Sequence, residues 1–197
     1  IISNEPFWQQ GIDRIISNFK IKGTYGLVGN DDIGAVRFFY LSDVLINGGG
    51  SFTTGHSLNY SRSGVRINNY ENPLIGWETS YKTNIGLEMG LFDGDVNIIG
   101  DFFSDRRVNI LQKRADIPTE MGLWKTPDAN VGKAYGKGVD ISLDYTKAFE
   151  NLWFIGRATF TYARTIFDYY EEPDYEQMGI PYLSRIGNSL TQQFGYV

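Results

Sequence analysis

The sequence contains no cysteine and a single histidine, His56. A disulfide scaffold and a thiolate metal site are thereby excluded, and a zinc site would have to be built mainly from carboxylates. Proline is sparse, at 6 of 197 residues, and nowhere do about 18 apolar residues run consecutively, so no transmembrane helix is encoded. Positive charge is not in excess: 18 Lys and Arg face 23 Asp and Glu, a formal net charge of −5. There is no basic stripe for duplex nucleic acid, and none is expected as a partner. What is plentiful is glycine, with 23 residues, and aromatics, with 13 Tyr, 13 Phe and 4 Trp. That composition argues against a disordered chain, and the length suits one domain or a part of a larger one. A transmembrane β-barrel passes every one of these tests, because alternating apolar and polar residues keep the average hydropathy low. The chain opens at Ile1 without an initiator Met or an apolar leader and stops abruptly at Val197, which points to a fragment.

The clearest local pattern runs from Trp77 to Phe92. Odd positions Trp77, Thr79, Tyr81, Thr83, Ile85, Leu87, Met89 and Leu91 contrast with even positions Glu78, Ser80, Lys82, Asn84, Gly86, Glu88 and Gly90. Alternation with period 2 over that length is a strand signal, since a helix would mix the two sets. Asp93-Gly94 follows, a dipeptide suited to the positive φ angles of a type I′ turn, and predicts a tight hairpin. Beyond it Val96, Ile98, Gly100 and Phe102 alternate with Asn97 and Asp101. Two further runs behave alike: Val139, Ile141, Leu143 and Tyr145 against Asp140, Ser142 and Asp144, then Phe154, Ala158, Phe160 and Tyr162 against Arg157, Thr159 and Thr161. Near the start, Phe19, Ile21, Tyr25 and Leu27 alternate with Lys20, Lys22 and Thr24. Five strands are predicted, with a sixth around Arg37 to Ile46.

The predicted strands are long enough for a bilayer crossing, which needs about 9–11 tilted residues. Their connections are unequal. Asp93-Gly94 and Lys147 to Asn151 are short, whereas Gly29 to Gly76, Gln112 to Lys133 and Phe167 to Gln193 are long and rich in Gly, Asn, Asp and Tyr. Outer-membrane barrels alternate short periplasmic turns with long extracellular loops in this way, and compact soluble domains rarely carry three such loops. Trp77, Tyr81, Tyr145, Trp153 and Phe154 sit towards strand ends, as an interfacial girdle would place them, although aromatics enrich any strand. Five or six strands cannot close in lipid, where an open edge is forbidden and single-chain barrels begin at about 8 strands. The expected fold is therefore all-β, an arc of a large antiparallel transmembrane barrel.

Several segments carry a resemblance to a known family. Lys20-Ile21-Lys22-Gly23-Thr24-Tyr25-Gly26-Leu27-Val28-Gly29-Asn30-Asp31 and the aromatic run Arg37-Phe38-Phe39-Tyr40-Leu41 are similar to a strand and loop of SusC/RagA-type TonB-dependent transporters of Bacteroidetes outer membranes. Asn72-Pro73-Leu74-Ile75-Gly76-Trp77-Glu78-Thr79 resembles that family's N-P-x-L-x-W-E-T element, and Thr83 to Glu88 with Leu91-Phe92-Asp93-Gly94 resembles the segments after it. Asn130-Val131-Gly132 followed by Gly136-Lys137-Gly138-Val139-Asp140 is similar to its N-x-G-x-x-x-N-x-G-[VI]-[DE], with Lys137 and the spacing departing slightly. Gly187-Asn188-Ser189-Leu190 with Gln193-Phe194-Gly195-Tyr196 resembles a further segment, where Ser189 replaces the usual Pro.

The resemblance implies that residues 1–197 form part of a plugged barrel of about 22 strands, without the plug, the TonB-contacting segment and the last strands. It further implies nutrient import across the outer membrane rather than enzymatic chemistry. The substrate would be an oligosaccharide or peptide, a SusD-like surface lipoprotein would cover the mouth, and the TonB complex would act through the plug.

Residue by residue, catalytic chemistry finds little support. His56 lies in a Gly/Ser/Thr-rich loop with no orienting partner pattern, and Gly132 to Gly138 lacks the spacing of a phosphate loop. No cofactor is expected, except that oxygen-rich clusters at Asn30-Asp31-Asp32 and at Asp168, Glu171, Glu172, Asp174 and Glu176 would suit Ca²⁺ in an extracellular loop. Neither matches an EF-hand loop, and a solvated loop is the simpler reading. Tyr169, Tyr170, Tyr175 and Tyr182 interleave with the second cluster and are candidate extracellular-loop contacts, a Tyr ring offering an apolar face and a hydroxyl to a sugar or partner. If Ile85, Leu87 and Met89 face lipid, then Lys20, Lys22, Glu78, Lys82, Asn84, Glu88, Asp101, Asp140, Asp144 and Arg157 are the candidate lumen-facing set. Two other readings remain open at this point. One is a soluble acidic β-sandwich recognising glycan or protein through Tyr-rich loops; the other is a glycan-active enzyme using carboxylates such as Glu88 and Asp101.

Overall fold

A computed structural model of the chain describes residues 15–32, 38 and 40–195. Five long strands form one antiparallel sheet: β1 (Ile16–Asn30), β6 (Glu78–Leu91), β7 (Val96–Lys113), β8 (Asp128–Ala148) and β9 (Trp153–Tyr169), in the order β1-β6-β7-β8-β9. Four short strands lie between the first two: β2 (Asp43–Leu45) pairs with β5 (Arg66–Asn69), and β3 (Ser51–Thr54) pairs with β4 (Tyr60–Ser63). The described residues contain no α-helix, only single 3-10 turns at Thr119–Met121 and Pro181–Leu183. No helix among them is long and apolar enough to cross a membrane, which leaves strand-based crossing untouched.

The alternating runs of the sequence are the cores of the five long strands; β1, β7, β8 and β9 extend past their runs, while β6 lies within the run from Trp77 to Phe92. β8 has 21 residues and β9 has 17. At about 3.3 Å per residue those strands span ~55–70 Å, well beyond what a bilayer crossing needs. Neighbours in sequence pair with neighbours in space, and the connections at Phe92–Asp95 and Phe149–Leu152 are short, as expected.

Three local expectations are corrected. The tight turn lies one residue earlier than Asp93-Gly94: Phe92 and Asp93 carry the positive φ angles of 53° and 59°, and the Gly94 N–H donates to the Leu91 carbonyl. Gly94, at φ 91°, follows the turn instead of completing it, which is the role glycine plays in a bulged hairpin loop. The sixth strand around Arg37 to Ile46 is only the three-residue β2; Arg37 and Phe39 lie outside the described residues, and Phe38 adopts a φ of 61° that ends extended backbone. That segment is apolar without alternation, so nothing in it commits one side to a sheet face. The stretch from Gly29 to Gly76 is also not wholly irregular, because β2 to β5 form two small antiparallel pairs within it.

The chain divides into two compact units. The first comprises Ile1–Val28, Ser80–Arg106 and Tyr135–Ile166; the second comprises Gly29–Thr79, Arg107–Ala134 and Phe167–Val197. Ala134 is the sole buried hydrophobic residue among the described ones. In the first unit Ile21, Tyr25, Ile85, Phe102, Ile141, Leu143, Phe160 and Tyr162 are all exposed, with Ile85 at 55% and Phe160 at 58%. Their parity places them on one face of the sheet, the side opposite Lys22, Glu88, Asp101 and Arg157. A chain that folds without covering such a face has no core of its own, so its apolar side chains need an apolar medium or partner.

Candidate functional site

The polar face of the first unit is a ladder of charged side chains on adjacent strands. Glu88 of β6 accepts from Lys20 Nζ at 3.2 Å and Lys22 Nζ at 2.5 Å, both on β1. Asp101 of β7 lies beside Gly86, where it fills the space a Cβ would occupy, with the Lys22 Cε at the same spot. Gly86 thus lets two charged side chains, Asp101 and Lys22, converge over its backbone. Ser80 Oγ donates to Asp105, and Arg157 Nε donates to Asp144 at 2.5 Å across the β8–β9 pair; apart from this ladder, Lys147 near the end of β8 pairs with Asp95 of the turn before β7. In the second unit, Glu78 meets Arg107 at 3.9 Å.

Of the ten residues singled out on this face, the structure therefore brings Lys20, Lys22 and Glu88 into one cluster with Asp101 alongside, and pairs Asp144 with Arg157. Glu78 finds Arg107, which the reading of the sequence had not named. Continuing the odd-numbered alternation of β7 past Asp101 through Phe103 and Asp105 to Arg107 would have found it. Lys82, Asn84 and Asp140 join none of the ion pairs among the described residues; Lys82 is exposed and the other two are half-buried.

Beyond Arg107, β7 changes face. Asn109 adopts a φ of 60° in mid-strand. Before it, odd-numbered Phe103 packs on Gly138 of β8; after it, even-numbered Ile110 and Gln112 pack on Gly132. An inversion of parity at a left-handed residue is a β-bulge, and it re-aims every later side chain of the strand.

Gln112 is 8% exposed and opens a buried network in the second unit. Its Oε1 accepts the backbone N–H of Glu171. Glu171, 4% exposed, receives the Arg114 Nε at 2.7 and 2.8 Å on its two oxygens, and its Oε1 also accepts the N–H groups of Ala115 and Asp116. Burial pushes the Glu171 carboxyl up, but the hydrogen bonds from Arg114, Asp116 and Ala115 outweigh it and hold the group below the usual carboxylate range. Arg114 is correspondingly raised, chiefly by the Glu171 hydrogen bond.

The neighbouring acidic and aromatic residues are engaged too. Glu172 accepts from Ser184 Oγ at 2.5 Å and the Arg185 N–H at 2.9 Å. Tyr170 packs edge-on to Phe167 at 5.1 Å, beneath the Arg185 guanidinium. Tyr169 lies 6.0 Å from Lys133 Nζ, Tyr175 accepts the Ile180 N–H through its backbone carbonyl, and Tyr182 is exposed on a 3-10 turn. No three His, Asp or Glu side chains gather as a cation would require among the described residues.

An apolar outer face, a charged opposite face and a run of long antiparallel strands are the features of a barrel arc. The family profile described as TonB dependent receptor-like, beta-barrel matches residues 14–196. The chain belongs to the TonB-dependent receptor β-barrel family. Two relatives come from Formosa agariphila. TonB-dependent receptor P39 is 25% identical over 92% of this chain and 16% of its own length; TonB-dependent receptor P26 is 28% identical over 74% of this chain and 13% of its own length. The chain thus spans about a sixth or less of these relatives. A solved structure of the RagAB peptide importer in its open-open state contains a chain that superposes with a TM-score of 0.64 at 22% identity, covering 88% of this chain and 18% of that one. A structure titled the RagAB peptide transporter superposes at 0.60 over 84% of this chain. The shared fold identifies the five strands as an arc of a large β-barrel, and the family is one of outer-membrane proteins.

Proposed function

We propose that this receptor arc is part of the wall of an outer-membrane importer that moves an oligosaccharide or peptide under TonB-supplied energy, with a SusD-like lipoprotein at its mouth. The observation that carries the reading is the pair of opposed faces in the first unit. Ile21, Ile85, Phe102, Ile141 and Phe160 lie uncovered on one side, which suits acyl chains. On the other side, Glu88 with Lys20 and Lys22, and Asp144 with Arg157, present paired charges, which suit a water-filled lumen and a plug. A soluble sandwich would bury one of those faces, and Ala134 alone is no core. The charged ladder also gives no reason to assign glycosidase chemistry, because Glu88 is committed to two lysines.

Selection of substrate falls to the loops of the second unit, where Tyr169 and Tyr182 offer exposed rings. Two of the solved structures that share the fold are titled a peptide transporter and a peptide importer, which supports a peptide among the candidate cargoes. The test is nutrient-dependent growth of the source bacterium with its receptor gene deleted, then complemented by the complete gene. Growth lost on one oligosaccharide or peptide source and restored by complementation supports import. Unchanged growth and unchanged uptake of labelled oligosaccharide and peptide mixtures would refute it.

A further inference from the structure

The motif Asn72-Pro73-Leu74-Ile75-Gly76-Trp77 is bound by side chains to a strand that is not its neighbour in the sheet. Asn130, on β8, uses its whole amide: Nδ2 donates to the Gly76 carbonyl at 2.9 Å and the Asn109 carbonyl at 2.7 Å, and Oδ1 accepts the Gly76 N–H at 2.8 Å. The two bonds to Gly76 mimic a backbone ladder pair, made by a side chain. The Asn109 carbonyl is available because the bulge in β7 takes that residue out of regular extension. A second asparagine closes the bend. Asn72 Nδ2 donates to the Asp128 carbonyl at 2.8 Å, its Oδ1 accepts the Leu74 N–H at 3.1 Å, and its own N–H donates to the Tyr40 carbonyl. Asp128 and Asn130 both belong to the start of β8, whereas Gly76 leads into β6, with β7 lying between these strands in the sheet. Asn130 has the parity of Gly132, which faces Ile110 and Gln112, so the bend is drawn over the end of β7 on that same side.

We propose that Asn72, Asn109 and Asn130 form a clasp that fixes the excursion between Tyr40 and Gly76 to the rim of the sheet, making it a standing part of the mouth and not a swinging lid. The alternative, a loop tethered only by chain continuity to β1 and β6, would leave both backbone groups of the exposed Gly76 to water, where its N–H would exchange freely. The inference concerns loop fixation and stands whether or not the receptor imports a glycan or peptide.

The experiment is hydrogen exchange of the complete receptor in detergent, comparing wild type with Asn130→Asp, Asn130→Ala and Asn72→Ala. Asn130→Asp is close to isosteric: it keeps the acceptor for the Gly76 N–H, removes both donors and sets a negative charge against the Gly76 and Asn109 carbonyls, whereas Asn130→Ala removes donors and acceptor without adding charge. Folding of each barrel is checked by its heat-dependent shift on denaturing gels. Expected is an increase of about tenfold or more in exchange across residues 72–76, faster tryptic cutting at Arg62 and Arg66, and unchanged exchange in β6 and β9. If all three variants exchange at residues 72–76 as wild type does, the clasp is refuted. A rise spread evenly through β6 to β9 would also refute it, since the asparagines would then support the sheet and not the loop.

Discussion

Glu171 is the most deeply buried charge among the described residues, and neutralising it should loosen the loop at residues 114–127 without unfolding the sheet. The carboxylate collects the Arg114 Nε and two backbone N–H groups, while the Glu171 N–H rests on Gln112. Hydrogen bonds to a charged partner contribute about 1.5–3 kcal/mol each, and deleting one partner of a buried pair costs ~3–5 kcal/mol. Here Arg114 keeps a side chain 37% exposed and can turn to water, so the lower part of that range applies. A local cost of roughly 2–3 kcal/mol corresponds to about 30- to 150-fold faster opening. Glu171→Gln retains an acceptor for Ala115 and Asp116 but sets an amide against Arg114; Glu171→Ala retains neither and should be worse. The assay is hydrogen exchange of residues 114–127 in the complete receptor, with exposed Glu176→Gln as control. The pH response has a definite sign. Because the folded carboxyl sits below its unfolded value of about 4.3, its contribution is complete above that pH and is lost as pH falls through the folded value. The loop should therefore open in acid in wild type, and Glu171→Gln should remove that dependence. Exchange within twofold of wild type in Glu171→Gln, with acid opening preserved, would refute the argument.

Other substitutions probe the rest of the structure. Leu87→Arg places a charge on the apolar face and should cost about 2–4 kcal/mol near the midplane, seen as reduced barrel assembly in the membrane fraction; greater damage from Glu88→Leu would invert the two faces. Gly138→Ala drives a Cβ against the Phe103 ring and to 2.5 Å from the Tyr162 carbonyl, which cannot yield, so a loss of about 1–3 kcal/mol in thermal or denaturant unfolding is expected. Gly100→Ala has open space there and should be neutral; equal effects of the two would remove the packing argument. On the proposed function, Tyr182→Ala and Tyr169→Ala should weaken capture of the oligosaccharide or peptide cargo while leaving receptor abundance unchanged, read as labelled-substrate binding to whole cells; wild-type binding would take both rings out of the recognition surface.

Much of the sheet was legible because strand patterning is local. The odd and even sets from Trp77 to Leu91, and those around Val139 and Phe154, report two different environments one residue apart, and only an extended chain separates them. The charged set was legible for the same reason. Lys20, Lys22 and Glu88 share a parity across a pair of strands, although which of them would touch was not. Less visible were the features that depend on a few φ angles. Glycine at 94 suggested the site of the tight turn, yet Phe92 and Asp93 took the positive angles. Nothing in Arg107-Val108-Asn109-Ile110 announces a bulge, since Asn tolerates the left-handed region without requiring it.

Glu171 shows where local reading stops. In the sequence it is one of five acids in a Tyr-rich stretch, and the natural inference is a solvated loop or a cation site. In the structure it is buried beneath Arg114, a partner 57 residues away, while its neighbour Glu172 holds Ser184. Asn72 and Asn130 were both visible in recognisable motifs, but their bonds to Asp128 and Gly76 cross 54 to 56 residues. Alternation was enough to specify long antiparallel strands, because that signal is set by each residue and its immediate neighbours; the membrane arc rested in addition on the unequal connections and on the resemblance to a family. Which charges pair, where β7 reverses its faces and what clasps the loops were decided by register and by the bulge at Asn109. Those depend on contacts between distant segments, which only form once the strands are side by side.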